Sequence, residues 1–323
     1  MSLPIYASPL ERVWYYTFRA ICTLVFVFLV APILIVIPLS FNVEPYFTFT
    51  HKMLTFDPTG YSLRWYDLLL TQGLQTPDAP RDWAWWGQVW EQATWVKAAK
   101  NSLWIGIWAT ILATILGTTA ALGLTRPEMP YRRVIMAILI SPMIVPIIII
   151  ATGLFFAYSS ACVPPDTFVG HILSPFLSPK GCLANTHLGI IMAHAILGIP
   201  FVIITVSATL SGFDQSLIRA SASLGASPRT TFFKVIMPLI LPGVISGGLF
   251  AFVTSFDEVV AVLFIAGPDQ QTIPRQMWNG IREAISPAIL AVATILVIVS
   301  IALLATVELL RRRSERLRGM TPQ

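Results

Sequence analysis

The chain reads as an all-α membrane protein with six transmembrane helices and both termini on the cytoplasmic side. Composition is the first reason. Of 323 residues, 55% are apolar and only 11% charged, with a mean hydropathy of +0.73, whereas a soluble domain carries about a quarter charged residues. The second reason is a series of apolar runs, several longer than the ~20 residues that cross a hydrocarbon core. The third is the placement of charge. With six crossings, residues 1–19, 126–133, 211–234 and 311–323 share one side, and they hold 13 of the 21 Lys and Arg. Most of the remainder is spread through one loop of roughly sixty residues, where charge bias counts least. The first set therefore faces the cytoplasm. The net charge of +5 is a topology signal, so the expected surroundings are a lipid bilayer and no nucleic acid.

The elements follow in order. Residues 1–18 are mixed, with aromatics Trp14, Tyr15 and Tyr16 between Arg12 and Arg19, as at a membrane interface. The first span, Ala20 to Phe41, is too long for a signal-peptide core and has no small-residue cleavage site, so it is a retained anchor. Asn42 to Lys100 is a partly ordered extramembrane loop, whose Trp83, Trp85, Trp86, Trp90 and Trp95 suit the headgroup level. The second span is Asn101 to Thr125. The third, Val134 to Tyr158, carries Pro142 and Pro146, which a membrane helix tolerates when neighbours satisfy the freed carbonyls. The fourth is His187 to Leu210, the fifth Val235 to Ala266, and the sixth Pro287 to Leu310. This gives an anchor and loop over 1–100, a five-helix core over 101–310, and a basic tail over 311–323.

Two features stand out against this frame. One is Phe213 to Gly243, the longest soluble-looking interruption of the C-terminal half. Asp214 suits an N-cap, with Phe213 and Ile218 as a hydrophobic staple. Gly225 suits a left-handed stop, and Ser227-Pro228 a second N-cap with proline at the first helical position. Two short helices with a turn at Gly225 are expected. The other is the acid pair Asp257-Glu258. An ionised group at membrane depth costs roughly 2.5–3.5 kcal/mol on insertion scales, so it marks a pathway or a partner. On a continuous helix Asp257 would lie about 21 Å beyond Gly243 and the two acids about 100° apart. One would line a path while the other caps, or pairs with Arg275 or Arg282; a structural ion pair is the plainer reading.

Other polar groups carry two readings each. His194, alone in the fourth span, is either a helix–helix hydrogen bonder or a substrate ligand. Tyr158 and Trp278 either stack on a cation or anchor the interface. Cys162 and Cys182 share one extracytoplasmic loop, an oxidising place, where a disulfide and two free thiols are both open. Three cysteines exclude a four-thiolate metal site, and the four histidines lack ligand spacing, so no metal is expected. No phosphate-binding Gly-rich loop and no catalytic constellation is present, so the chain is read as neither an enzyme nor an ATP binder.

At the hairpin the sequence becomes recognisable. Arg219-Ala-Ser-x-x-Leu224-Gly225-Ala-Ser, followed at the right interval by Val235-Ile-Met-Pro238, resembles the Glu-Ala-Ala-x3-Gly-x9-Ile-x-Leu-Pro loop of ABC importer permeases. Ser62-Leu-Arg-Trp-Tyr66, Asn101-Ser102, Pro142 with Pro146, Ala193-His194 with Pro200, Ser255-Phe-Asp-Glu258, Trp278-Asn-Gly-Ile-Arg282 and Ser286-Pro287 are similar to the permeases of spermidine/putrescine importers.

The resemblance implies the type I ABC importer permease fold in a bacterial inner membrane. It implies a second permease, a periplasmic solute-binding protein and a cytoplasmic ABC ATPase dimer. That dimer would use ATP and Mg, with no cofactor on this chain. The loop 211–238 would be the ATPase-coupling element, built on Leu217, Arg219, Ala220, Ser221, Gly225, Ala226 and Pro238. The cargo would be a small cationic solute such as a polyamine, with an opine or amino-acid derivative as the rival within the family. A secondary transporter is the rival outside it, opposed here by the lack of a matching pair of broken helices. One departure is plain: Arg219 stands where the family loop begins with Glu, so either that contact is dispensable or the ATPase interface has reversed charge.

Overall fold

The structure, a computed structural model, describes residues 8–317 except 127, 165, 215 and 284–285. The start of the chain and the tail from Arg318 lie outside the described residues. In order, the helices are α1 (Pro9–Leu39), α2 (His51–Leu54), α3 (Arg64–Thr71), α4 (Trp83–Gln92), α5 (Thr94–Leu124), α6 (Arg132–Ile144), α7 (Ile147–Ser160) and α8 (Phe168–Leu173). They continue as α9 (His187–Ser211), α10 (Ser216–Ser223), α11 (Pro228–Thr231), α12 (Met237–Phe256), α13 (Val260–Ile265), α14 (Ile273–Glu283) and α15 (Ala288–Leu317). No strand occurs among the described residues, so the all-α expectation holds. Four helical stretches are long and apolar enough to cross a membrane, or five if α6 and α7 form one bent span. From the sixth expected span, the apolar segment described is Ala288–Ala302.

Two compact units emerge, and the division differs from the one read in the sequence. One joins residues up to Val89 to those from Gly280 onward; the other is Trp90–Asn279. The last helix belongs with the first unit because α15 packs on α1 and α3. That unit is organised by Asn42, which is fully buried. Its amide donates to the carbonyls of Tyr46 and Thr48, and its own carbonyl accepts the Trp65 indole N–H at 2.7 Å. Tyr66 meets the Ser40 hydroxyl at 2.7 Å. Ser62-Leu-Arg-Trp-Tyr66 is thus the stretch that fastens the long loop to the end of α1.

The second unit is built on α5, α9 and α12. Water cannot drive helices together inside lipid, so close backbone approach at small residues has to do it. A Cβ placed on Gly117 would fall 2.6 Å from the Val202 Cβ, and one on Gly247 would fall 2.8 Å from the Val202 Cα. Gly243 lies against Thr209 and the Thr205 carbonyl, and Gly198 against Ala113 and Ala251. The helices meet along this seam with no room for a methyl group.

Two expected spans are broken, and both are corrections. The third bends by 102° between α6 and α7. Val145 donates the last helical bond to Ser141 and is extended (ψ 136°), as the residue before a proline prefers, and Pro146 has no N–H to continue. The fifth stops at Phe256, with Asp257 as its C-cap, and restarts as α13. Asp257 and Glu258 are therefore not neighbours on one helix. The argument against a secondary transporter from missing broken helices also falls away.

Gly247→Val should lower the unfolding midpoint of the purified protein in detergent, with an overpacking cost of about 1–3 kcal/mol. Gly123→Ala, where an added Cβ meets nothing within 4 Å, should leave the midpoint unchanged or raise it.

Candidate functional site

The hairpin between α9 and α12 has the caps its sequence calls for. The Asp214 carboxylate accepts the Ser216 hydroxyl at 2.6 Å and the Ser216 N–H at 2.8 Å. These hydrogen bonds, with the nearby charge of Arg219, hold the carboxyl below the ordinary carboxylate range. At the far end of α10, Gly225 takes the left-handed conformation (φ 78°), and its N–H bonds to the Ala222 carbonyl. The Ala226 N–H bonds back to the Ser221 carbonyl at 3.0 Å, completing a Schellman stop. Ser227 caps α11, with Pro228 at the first position. Ser221 and Thr231, both buried, share a 3.0 Å hydrogen bond that fixes α10 against α11. A wide π turn, Phe232–Ile236, then leads into α12.

The outward face of this hairpin is apolar and unclothed. Leu224 is 87% exposed, and Leu217 and Ile218 are also exposed. Arg219 and Ala220 lie on the surface between them, and Pro238 is exposed at the start of α12. Behind the hairpin a cavity of about 570 Å³ is lined by Leu122, Arg126, Phe213, Ile218, Ala222 and Phe232. An apolar ridge on a capped, self-braced hairpin can seat in a partner's groove without first having to fold.

The remaining sequence candidates lie at other levels of the same unit, with Trp278 exposed on α14. His194 is buried between α9 and α12, and its Nδ1 lies 2.8 Å from the Ser255 hydroxyl. The contact links α9 to α12. Asp257 is exposed where α12 ends. Glu258 is buried and accepts the Ala261 N–H at 2.9 Å, so it caps α13. Tyr158 is buried on α7, packed in one apolar cluster with Ala261, Val262 and Ile265 of α13. Cys162 and Cys182 are joined by a disulfide.

Three residues do more than their sequence context indicated. Arg275 reaches neither acid. Its Nη1 donates to the carbonyls of Ala266 at 2.9 Å and Gly267 at 3.2 Å, closing the C-terminal end of α13. Burial pushes its guanidinium pKa down from the usual value. So α13 has a carboxylate at its N-terminal end and a guanidinium at its C-terminal end, which matches the helix dipole at both. Asn101 donates to the carbonyls of Asp269 and Gln271 and meets His187 at 3.3 Å, while Ser102 accepts the Ile273 N–H. Asn101-Ser102 thereby staples the loop after α13 to α5. The periodicity of α5 could not show this, because both partners lie more than 150 residues away in the chain.

The apolar spans, the glycine seam and the exposed hairpin are those of a multi-pass membrane protein, and comparison places its family. The family described as binding-protein-dependent transport system inner membrane component matches residues 113–316; the chain belongs to this family. Among relatives, the spermidine/putrescine transport system permease protein PotC of Haemophilus influenzae is 30% identical over 72% of this chain and 82% of its own length. The putrescine transport system permease protein PotI of Escherichia coli is 29% identical over 91% of this chain and 88% of its own. The crystal structure of a bacterial ABC transporter involved in the import of the acidic polysaccharide alginate has the same fold. It aligns with a TM-score of 0.59 at 15% identity, covering 96% of this chain and 99% of that one.

Arg275→Met should destabilise the protein by about 1.5–3 kcal/mol, because carbonyls at the end of α13 lose a charged donor. Arg275→Lys should recover only part of this, since an ammonium cannot span several carbonyls as the guanidinium fork does. Thermal unfolding in detergent, read for both variants, is the check.

Proposed function

We propose that the chain is a transmembrane subunit of an ATP-driven importer in a bacterial inner membrane, moving a small cationic solute of the spermidine/putrescine type. It would work with a second permease, a periplasmic binding protein that delivers the solute, and a cytoplasmic ATPase dimer that uses ATP and Mg. The exposed, self-braced hairpin is the observation that carries this reading. A capped ridge with Leu217 and Leu224 outward, set between two closely packed helices, suits a part that is gripped and moved.

The geometry supplies a mechanism. α9 runs directly into the hairpin and α12 runs directly out of it, and the two are locked by Gly243, Gly247 and the His194–Ser255 bond. A displacement of the hairpin would move α9 and α12 as one body. The break at Asp257 would then let that body shift relative to α13, which is held by its own two caps. Charge at the break favours a cationic cargo. A carboxylate at a helix C-terminus faces the negative end of the dipole, unfavourable by about 0.3–1 kcal/mol. A passing ammonium group would relieve that cost through charge-assisted hydrogen bonds. Arg219 favours an ATPase groove that offers it a carboxylate or a carbonyl.

The test is ATPase activity of the reconstituted complex with its binding protein. Spermidine or putrescine should stimulate hydrolysis and sulfate should not. Leu224→Asp should abolish the stimulation and the retention of the ATPase on the permease, while shifting stability by no more than about 0.5 kcal/mol, as for an ordinary surface substitution. If no polyamine stimulates while the ATPase stays bound, the cargo assignment is wrong and the permease assignment stands. If Leu224→Asp retains full coupling, the hairpin is not the coupling element.

A further inference from the structure

We infer that α4 is an in-plane membrane anchor, lying along the bilayer–water interface. The helix has ten residues and two unlike edges. Trp85 and Val89 are buried and fasten it to the protein. Trp83, Trp86 and Trp90, spaced three and four apart, form one outward stripe, with Trp83 92% exposed and Trp90 61% exposed. Three indoles on one exposed edge of a short helix are more apolar surface than water tolerates without a partner. Indole combines a wide apolar ring with one N–H donor, the combination that concentrates where hydrocarbon meets headgroups.

The stripe continues onto a membrane span, which is why the occupant assigned is lipid. Lys100 of α5 lies over the Trp90 ring, 4.7 Å from its centroid, and donates to the Trp90 carbonyl. Four residues further along α5, on the same face as Lys100, comes Trp104, stacked edge-on to Trp108 at 5.6 Å. Ile111 and Ile115 extend this exposed line into the apolar part of the span. The order along the surface is therefore indoles on α4, an ammonium, two more indoles, then aliphatic side chains. That is the sequence of chemistries met on passing from the interface, through phosphate, into hydrocarbon. The inference does not depend on which solute is carried.

The experiment is site-directed spin labelling of the full complex in phospholipid nanodiscs, in a Cys22→Ser background that leaves the disulfide intact. Single cysteines replace Trp83, Trp86, Trp90 and, on the adjoining exposed edge, Ala84 and Glu91. Labels on the stripe should be several-fold more accessible to oxygen than to an aqueous nickel chelate, and labels at 84 and 91 should show the reverse ratio. Equal chelate access on both edges would overturn the inference. Shielding of the stripe from both reagents would also overturn it, since a sister permease or the binding protein would then cover it. Retained oxygen access at positions 86 and 90 in a Trp83→Ser variant guards against loss of one residue disturbing the helix.

Discussion

The rest of the structure depends on backbone-to-backbone contact along the α9–α12 seam. At Gly247 an added Cβ would fall 2.8 Å from the Val202 Cα, and at Gly243 it would meet the Thr205 carbonyl at 3.0 Å. Contacts of this kind cannot slide by fractions of an ångström, because backbone atoms have no rotamers to yield. The consequence is mechanical. The hairpin is inserted between two helices in close backbone contact, so a force on it is not absorbed locally. Glycine is normally a weak residue in a helix, yet here its missing side chain is what makes the pair stiff.

Elsewhere the spans are interrupted, at the two breaks. Both occur within spans, and each leaves a short segment, α7 or α13, packed on the other through Tyr158, Ala261, Val262 and Ile265. α13 is only six residues long, too short to be stable by itself. Glu258 and Arg275 close its ends and so supply what the short ladder cannot. The protein therefore combines a closely packed helix pair with a small piece that is held by its own caps.

Sequence revealed the hairpin well and the breaks poorly, for a physical reason. Asp214, Gly225 and Ser227-Pro228 act on backbone groups two to five residues away, so their geometry is local and legible. The family resemblance rested on that same local pattern, and the family match confirms it. The break after Phe256 has no proline or glycine to announce it. It depends on Glu258 turning its carboxylate to the Ala261 N–H and on Arg275 arriving from another helix, so the acids were placed on one continuous helix. Pro146 did announce a break, but proline in a membrane span is often tolerated, and only packing of α7 against α13 decides the case. The tryptophans of the long loop were read as interfacial as a set. In fact Trp85 and Trp95 are buried, and Trp83, Trp86 and Trp90 form one exposed stripe on α4. The boundary between units was also illegible, since α15 joins α1 and α3 from the far end of the chain.

The central claim is that α9 and α12 move as one body when the hairpin is displaced. Double electron–electron resonance between nitroxides at Ile204 and Leu249, exposed positions on the two helices, tests it directly in the reconstituted complex. The account predicts the same distance in the nucleotide-free complex and in the complex arrested with ATP. A change of more than about half a helical pitch, roughly 2.7 Å, would show that the seam slides and would contradict it.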